Sequence, residues 1–209
     1  MLPSCCPERH INFDGTFCLF WAELEPLSVT DIPTAGKWWR KLLTFLQRQR
    51  TADILRSWPG RAAGRAHGPE AATHQAVAEH AANELGIRFT SGLKDGHFST
   101  NRNRYRNEHR VKLFDDGRCI ATVVRGRKSW EGRVLTLRAR CKCGSTVPPL
   151  PLRSCGNHAE MIARFTLALD GWKEAEAEFF KTIANSGIQC CGSLEECPLA
   201  SIGQNMKAA

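Results

Sequence analysis

Six of the ten cysteines fall between positions 141 and 197, and that crowding constrains the fold more than any other feature of this 209-residue chain. Thiols kept reduced are more often catalytic or metal-bound than paired in disulfides. No apolar run reaches the roughly 18 residues of a membrane span. The first residues also lack a basic patch followed by an apolar stretch, so a cytoplasmic, reducing setting without a membrane partner is expected. In "RCKCGS", Cys141 and Cys143 form a knuckle ahead of a glycine turn, able to aim two thiolates at one ion. "SCGNH" adds Cys155 and His158 at the start of a helix, where the helix field favours anionic sulfur. Two ligands from a knuckle and two from a helix start make a tetrahedral Cys3His set, the pattern of structural zinc. "QCCGSLEECPL" carries Cys190, Cys191 and Cys197, alternative partners for the knuckle or parts of another site. The competing expectation is a set of buried reduced thiols.

Hydrophobic spacing changes along the chain. From about 34 to 56, apolar residues including Trp38, Trp39, Phe45, Ala52 and Leu55 recur at helical spacing. Both tryptophans read as packing residues, and Pro59-Gly60 reads as the stop. A second helix is expected from about 69 to 85, with proline in its first turn and Gly86 at its end. "VKLF", "CIATVV" and "VLTLRAR" are short, β-branched and separated by Asp116-Gly117 and "RGRKSWEG", which predicts three antiparallel strands. "STVPPLPL" reads as an extended linker. The chain is helical again from about 157 to 184, with Asp170-Gly171 a candidate break. The order predicts an α+β fold: an N-terminal helical part with an active-site-like loop, a small antiparallel β meander, and a zinc-stabilised C-terminal helical region. The polar stretch 86–100 suggests a boundary, giving domains at 1–88 and 89–209.

The net charge of +8 is local. Residues 101–140 hold twelve Lys or Arg against four acids, and basic and acidic residues balance elsewhere. An anionic partner suits such a segment. Nucleic acid is one candidate, through phosphate contacts. Tyr105 alone interleaves with the arginines, which is poor support for a base-stacking platform. An acidic protein face or plain solvent are the other readings.

The front of the chain carries a second constellation, "RHINFDGTFCL", residues 9–19. A cysteine carries an acyl group only as its thiolate. When an amine attacks such a thioester, a nearby side-chain amide can hydrogen-bond the developing oxyanion. His10, Asn12, Gly15, Cys18 and Leu19 supply these residue types in order. The stretch resembles the active-site loop of ubiquitin-conjugating enzymes. His10-Ile11-Asn12 stands where that family has His-Pro-Asn, and Phe17-Cys18-Leu19 stands where it has an apolar residue, the catalytic cysteine and Leu. It is still more similar to bacterial relatives from ubiquitin-like conjugation operons.

The resemblance implies that Cys18 carries a modifier as a thioester, Asn12 stabilises the oxyanion and His10 holds the loop. It implies a ubiquitin-like protein and its activating enzyme as partners. The family's fold places a helix and a four-stranded meander before this motif, whereas nine residues precede His10 here. A partner chain supplying that half, or strands at 111–140 in permuted order, would complete it. Other readings stay open. Cys5 or Cys6, His10 and Cys18 could bind zinc with His67 or His74, or Cys18 could be a packed thiol beside Phe17, Leu19, Phe20 and Trp21. The function is then conjugation by Cys18, or a non-catalytic zinc-binding accessory role in such a system, or a basic nucleic-acid-binding module.

Overall fold

In the structure, a computed structural model describing residues 2–21, 27–59, 64–127, 130–144 and 146–207 without the side chains of 204–207, Asp31 starts the first long helix. Gly60, Lys128 and Ser145 lie outside the described residues. Helix α1 spans Ile32–Leu55. The Asp31 carboxylate accepts the Thr34 N–H at 2.8 Å, and the Thr34 hydroxyl accepts the Asp31 N–H at 3.1 Å. This reciprocal cap satisfies donors that a helix start leaves orphaned. Arg56, in the left-handed region, ends the helix before Pro59 is reached. The buried stripe is Phe45, Gln49 and Ala52. Trp39 is not a packing residue: it stands 63% exposed, edge-on to Trp38 at 5.1 Å. The apolar stripe of α1 is wider than the face it buries.

Helix α2 spans Pro69–Leu85 and α3 spans Ile87–Asp95. Four strands come next: β1 (Phe98–Tyr105), β2 (Glu108–Asp115), β3 (Arg118–Arg125) and β4 (Gly132–Val134). They form one antiparallel sheet in chain order. The β2–β3 turn is the expected one, with Asp116 and Gly117 both at positive φ, which suits a tight hairpin. Two differences from expectation stand out. β1 is an added strand, invisible in the sequence because its residues are mostly exposed and polar, so no alternating pattern exists. It is held by its register with β2, from Phe98↔Asp115 to Tyr105↔Glu108. The second is "VLTLRAR", which yields only Val134 to a strand; residues 135–140 are irregular, apart from a single bridge between Arg140 and Pro151.

Helix α4 spans His158–Asn185 and α5 spans Pro198–Lys207. The described residues thus hold five α-helices and a four-stranded antiparallel sheet, an α+β fold. None of these helices is long and apolar enough to cross a membrane.

The chain divides into two compact units. One comprises Met1–Arg61, His67–Pro69 and Ala175–Ala209; the other comprises Ala62–Ala66 and Glu70–Glu174. The core of the first includes Ile11, Phe45, Ala52, Trp58, Phe180 and Ile183. In the second, Ala78, Ala82 and Leu85 of α2 join Leu113, Val123 and Phe165. Phe89 stacks on Phe98 at 5.3 Å, and Phe165 meets both edge-on.

Helix α4 runs unbroken through Asp170-Gly171, and both residues have packing roles. Asp170 is 4% exposed and accepts bonds from Arg102 at 2.7 Å and Arg125 at 2.8 Å. Gly171 makes room for the His74 imidazole: a Cβ there would lie 2.2 Å from His74 Cε1. The His74 ring is itself set edge-on to Trp130 at 4.4 Å. Replacing a helix-interior glycine with alanine usually stabilises by about 1 kcal/mol. Gly171→Ala should instead destabilise by about 1–3 kcal/mol, the usual cost of overpacking. Urea unfolding checks the sign. In a His74→Ala background the same substitution should turn neutral or stabilising, because the clash is gone.

Candidate functional site

The front loop is built by main-chain bonds before any side chain acts. Pro7–Arg9 make a 3-10 turn, and His10 comes next in the left-handed region at φ 57°. Cys6 and Ile11 exchange bonds at 3.1 and 3.0 Å, and Arg9 N–H donates to the Cys6 carbonyl at 2.9 Å. Residues 12–16 form the expected turn: Asn12 N–H donates to the Thr16 carbonyl at 2.8 Å, with Gly15 at φ 78°. The chain then returns so that Cys18 N–H donates to the His10 carbonyl at 2.9 Å. The structure therefore brings His10, Asn12 and Cys18 onto one loop. The Asn12 side-chain amide donates to the Thr16 hydroxyl at 2.9 Å, and that hydroxyl donates to Asp14 at 2.6 Å. The Thr16 hydroxyl and, at 2.9 Å, the Thr16 main-chain N–H both donate to Asp14 and hold its carboxyl below its usual pKa.

Sequence reasoning missed what holds this loop. Arg9 is fully buried and clamps α1: its Nε donates to Gln49 Oε1 at 2.6 Å, its Nη2 donates to the Gln49 carbonyl at 3.1 Å, and its Nη1 pairs with Asp53 at 2.8 Å. Gln49 returns a bond to the Arg9 carbonyl at 2.7 Å. A buried guanidinium is tolerated only when paired and hydrogen-bonded in this way. His10 is also buried and stacks on His67 with ring centroids 4.5 Å apart. His67 is anchored in turn, its main-chain N–H and Nδ1 each 3.0 Å from Glu176 Oε1. The one sequence signal was a polar Gln49 on the apolar stripe of α1. His67 is thus a packing partner of His10. His74 belongs to the other unit, against Trp130. Among the described residues, Cys5, Cys6, His10 and Cys18 form no group of three converging metal donors.

The late cysteines assemble a different centre. Cys141 N–H donates to the Leu150 carbonyl at 2.8 Å, and Leu152 N–H donates to the Ala139 carbonyl at 2.8 Å. These bonds fold the Pro-rich stretch back onto the knuckle. A 3-10 turn at Leu152–Ser154 then delivers Cys155, and His158 opens α4. The sulfur and nitrogen atoms of Cys141, Cys143, Cys155 and His158 all lie within 4.8 Å of one another. Cys143 Sγ is 3.7 Å from Cys155 Sγ, and His158 Nδ1 is 3.1 Å from Cys155 Sγ and 3.4 Å from Cys141 Sγ. Sulfurs on a tetrahedral ion with ~2.3 Å bonds stand about 3.8 Å apart, so the spacing suits one metal ion. Burial first, then the neighbouring Cys143 and Cys155 thiols, push the Cys141 thiol up to about 12 against the lowering pull of the Cys143 N–H. Such a cluster is short of positive charge, which a divalent cation supplies while displacing the protons.

Cys190, Cys191 and Cys197 take no part in that group and belong to the other unit. Cys197 is buried in the core there, its thiol pushed up to about 12 by burial and by Cys190. A further cluster, His97, Asp115 and Asp116, is mostly exposed, and Asp115 already pairs with Arg88 at 2.6 Å.

Several charges of the basic segment are neutralised in place. Arg102 bonds Asp170 and both Glu174 oxygens, at 2.8 and 2.5 Å for the latter. Arg125 shares Asp170. Arg110 pairs with Glu108 at 2.6 Å and lies 4.3 Å from the Tyr105 ring centroid, a cation–π contact.

Residues 1–60 match the family described as prokaryotic E2 domain, and residues 66–199 match the family described as cysteine-rich domain, C-terminal to E2 domain. The first match holds His10, Asn12 and Cys18; the second holds the sheet and the Cys3His group. The chain matches no curated protein and no solved structure. The Cys3His group, as a candidate metal site, makes its own prediction. Cys143→Ser should lower bound metal, measured by elemental analysis, and lower the melting temperature. Cys119→Ser, at an exposed thiol, should change neither. Acid should release the metal, because protons compete for the same sulfurs.

Proposed function

The chain belongs to the prokaryotic E2 family with a cysteine-rich C-terminal domain, and on that premise we propose that Cys18 carries a ubiquitin-like modifier as a thioester. Association with ubiquitin-like conjugation rests on the two domains themselves. The observation that supports a thioester at Cys18 is the loop: Cys18 is tied to the His10 carbonyl, with Asn12 in the intervening turn.

In this reading the Cys18 thiolate attacks the thioester joining the modifier's C-terminal glycine to the activating enzyme. A new C–S bond forms at Cys18, and the activating enzyme's thiolate leaves. An acceptor amine then attacks the carbonyl. The tetrahedral oxyanion collapses, the Cys18 thiolate departs, and the amine loses its proton to solvent. Asn12 acts on the oxyanion. One of its amide hydrogens is used by Thr16, which fixes the group and leaves the other to donate. His10 acts by position, its carbonyl gripping Cys18 and its ring stacked on His67.

The Cys3His group would hold zinc in a structural role, since thiolate-rich tetrahedral sets suit that ion. A reducing cytoplasm would keep its thiols free. The partners are the activating enzyme and the modifier. The chain's own sheet belongs to the part that matches the cysteine-rich domain.

One observation favours a second reading, a non-catalytic accessory of the same system. Within the turn, the Asn12 side-chain amide is bonded to Thr16 and serves the loop's own packing. A nucleic-acid role draws less support, because Arg102, Arg110 and Arg125 are paired within the chain.

The deciding assay combines the chain with the activating enzyme, modifier, ATP and proteins encoded beside it. An adduct cleaved by reductant is expected, and Cys18→Ser should give an oxyester or nothing. Asn12→Ala should load normally but discharge roughly 100-fold more slowly. If no adduct forms while the chain still binds the activating enzyme or the modifier, the accessory reading holds.

A further inference from the structure

Cys6 and Cys191 lie 185 residues apart in sequence, yet their sulfurs stand 3.0 Å apart. Both are free thiols of the same unit. Their environments differ in a way that assigns roles. Cys6 is 1% exposed, whereas Cys191 is exposed. The Ser193 hydroxyl sits 3.0 Å from Cys191 Sγ and 4.0 Å from Cys6 Sγ, so it can donate to a thiolate at position 191.

Metal ligation is the first alternative, and the geometry weighs against it. Two sulfurs on one tetrahedral ion stand about 3.8 Å apart. The Cys6–Cys191 separation is shorter, and among the described residues neither thiol joins a group of three metal donors. A disulfide bond is about 2 Å long, so closing this pair needs a sulfur movement of roughly 1 Å.

We propose that Cys191 and Cys6 are a peroxide-reactive pair, with Cys191 the attacking thiol and Cys6 the resolving one. The Cys191 thiolate attacks one oxygen of hydrogen peroxide. The O–O bond breaks, Cys191 becomes a sulfenic acid, and hydroxide leaves to take up a proton. Cys6 sulfur then attacks Cys191 sulfur. The S–S bond forms, the S–O bond breaks, and water leaves with the Cys6 proton. The two thiols lose two electrons in total, and the peroxide is reduced. Exposure of Cys191 gives the oxidant access, and burial protects Cys6 from direct attack.

The product would cross-link the two ends of the chain at a sensitive place. Cys6 is the residue whose main chain bonds Arg9 and Ile11, on either side of His10. The pairing itself does not depend on whether Cys18 is an acyl carrier.

The test uses the full chain as purified. The protein is treated with a few equivalents of hydrogen peroxide, alkylated in denaturant, digested without reduction and mapped by mass spectrometry. The Cys6–Cys191 peptide should be the dominant cross-link. In Cys6→Ser, a sulfenic-acid trap such as dimedone should label Cys191. In Cys191→Ser, Cys6 should be recovered as a free thiol. Circular dichroism checks that both variants fold, and equilibration of wild-type protein in glutathione redox buffer tests the same disulfide without any substitution. The proposal is overturned if both thiols stay free after peroxide and in oxidising glutathione. It is equally overturned if trap labelling falls on Cys6, or if the dominant cross-link joins other cysteines.

Discussion

Three thiols gathered within 4.8 Å of one another and of the His158 imidazole cannot all ionise without a cation between them. Proton or metal must neutralise the group, and the choice decides how firmly the knuckle is held to the start of α4. With thiols alone, burial and mutual repulsion keep the protons on, as the raised Cys141 shows. Neutral thiols bond one another weakly, which leaves the knuckle to core packing and the main-chain bonds pairing 139–141 with 150–152. With a divalent ion the same crowding becomes four strong bonds. Much of what surrounds the centre is core: Cys141, Leu152 and Cys155 are buried with Met161, Phe165 and the inner face of the sheet. An ion here would therefore contribute to the folding of the unit as well as to its surface chemistry.

The two candidate centres were legible in the sequence for different reasons. Cys141, Cys143, Cys155 and His158 sit close in the chain, and a knuckle ahead of a helix start brings short spacings together with few alternatives. His10, Asn12 and Cys18 were legible because one turn, closed at Gly15, spans them. Their supports were not. Arg9 meets Gln49 across 40 residues, and His67 meets Glu176 across 109. Contacts of that kind leave no periodic trace, and a lone polar residue on an apolar stripe is a faint one.

The same distinction explains the errors of fold. α1, α2 and the middle strands announce themselves because burial imposes a period on them. β1 lacks that signal: Asn101, Arg102, Asn103 and Arg104 are all exposed, and the strand exists through its pairing with β2. Gly171 misleads in the other direction. Glycine in a helical pattern suggests a break, but here the missing Cβ is space for an imidazole. The basic segment shows how far charge counts alone can mislead. Its excess of positive residues is real, yet Asp170 and Glu174 of α4 absorb two of the arginines, and Asp170 does so from a buried position.

The coordination shell of a metal taken up by the Cys3His group tests the central claim most directly. X-ray absorption at the metal edge of the purified chain should show three sulfurs at about 2.3 Å and one nitrogen at about 2.0–2.1 Å. The nitrogen should disappear from the shell in His158→Cys. A shell of four sulfurs in the wild-type chain would remove His158 from the centre, and a six-coordinate oxygen shell would contradict the Cys3His assignment altogether.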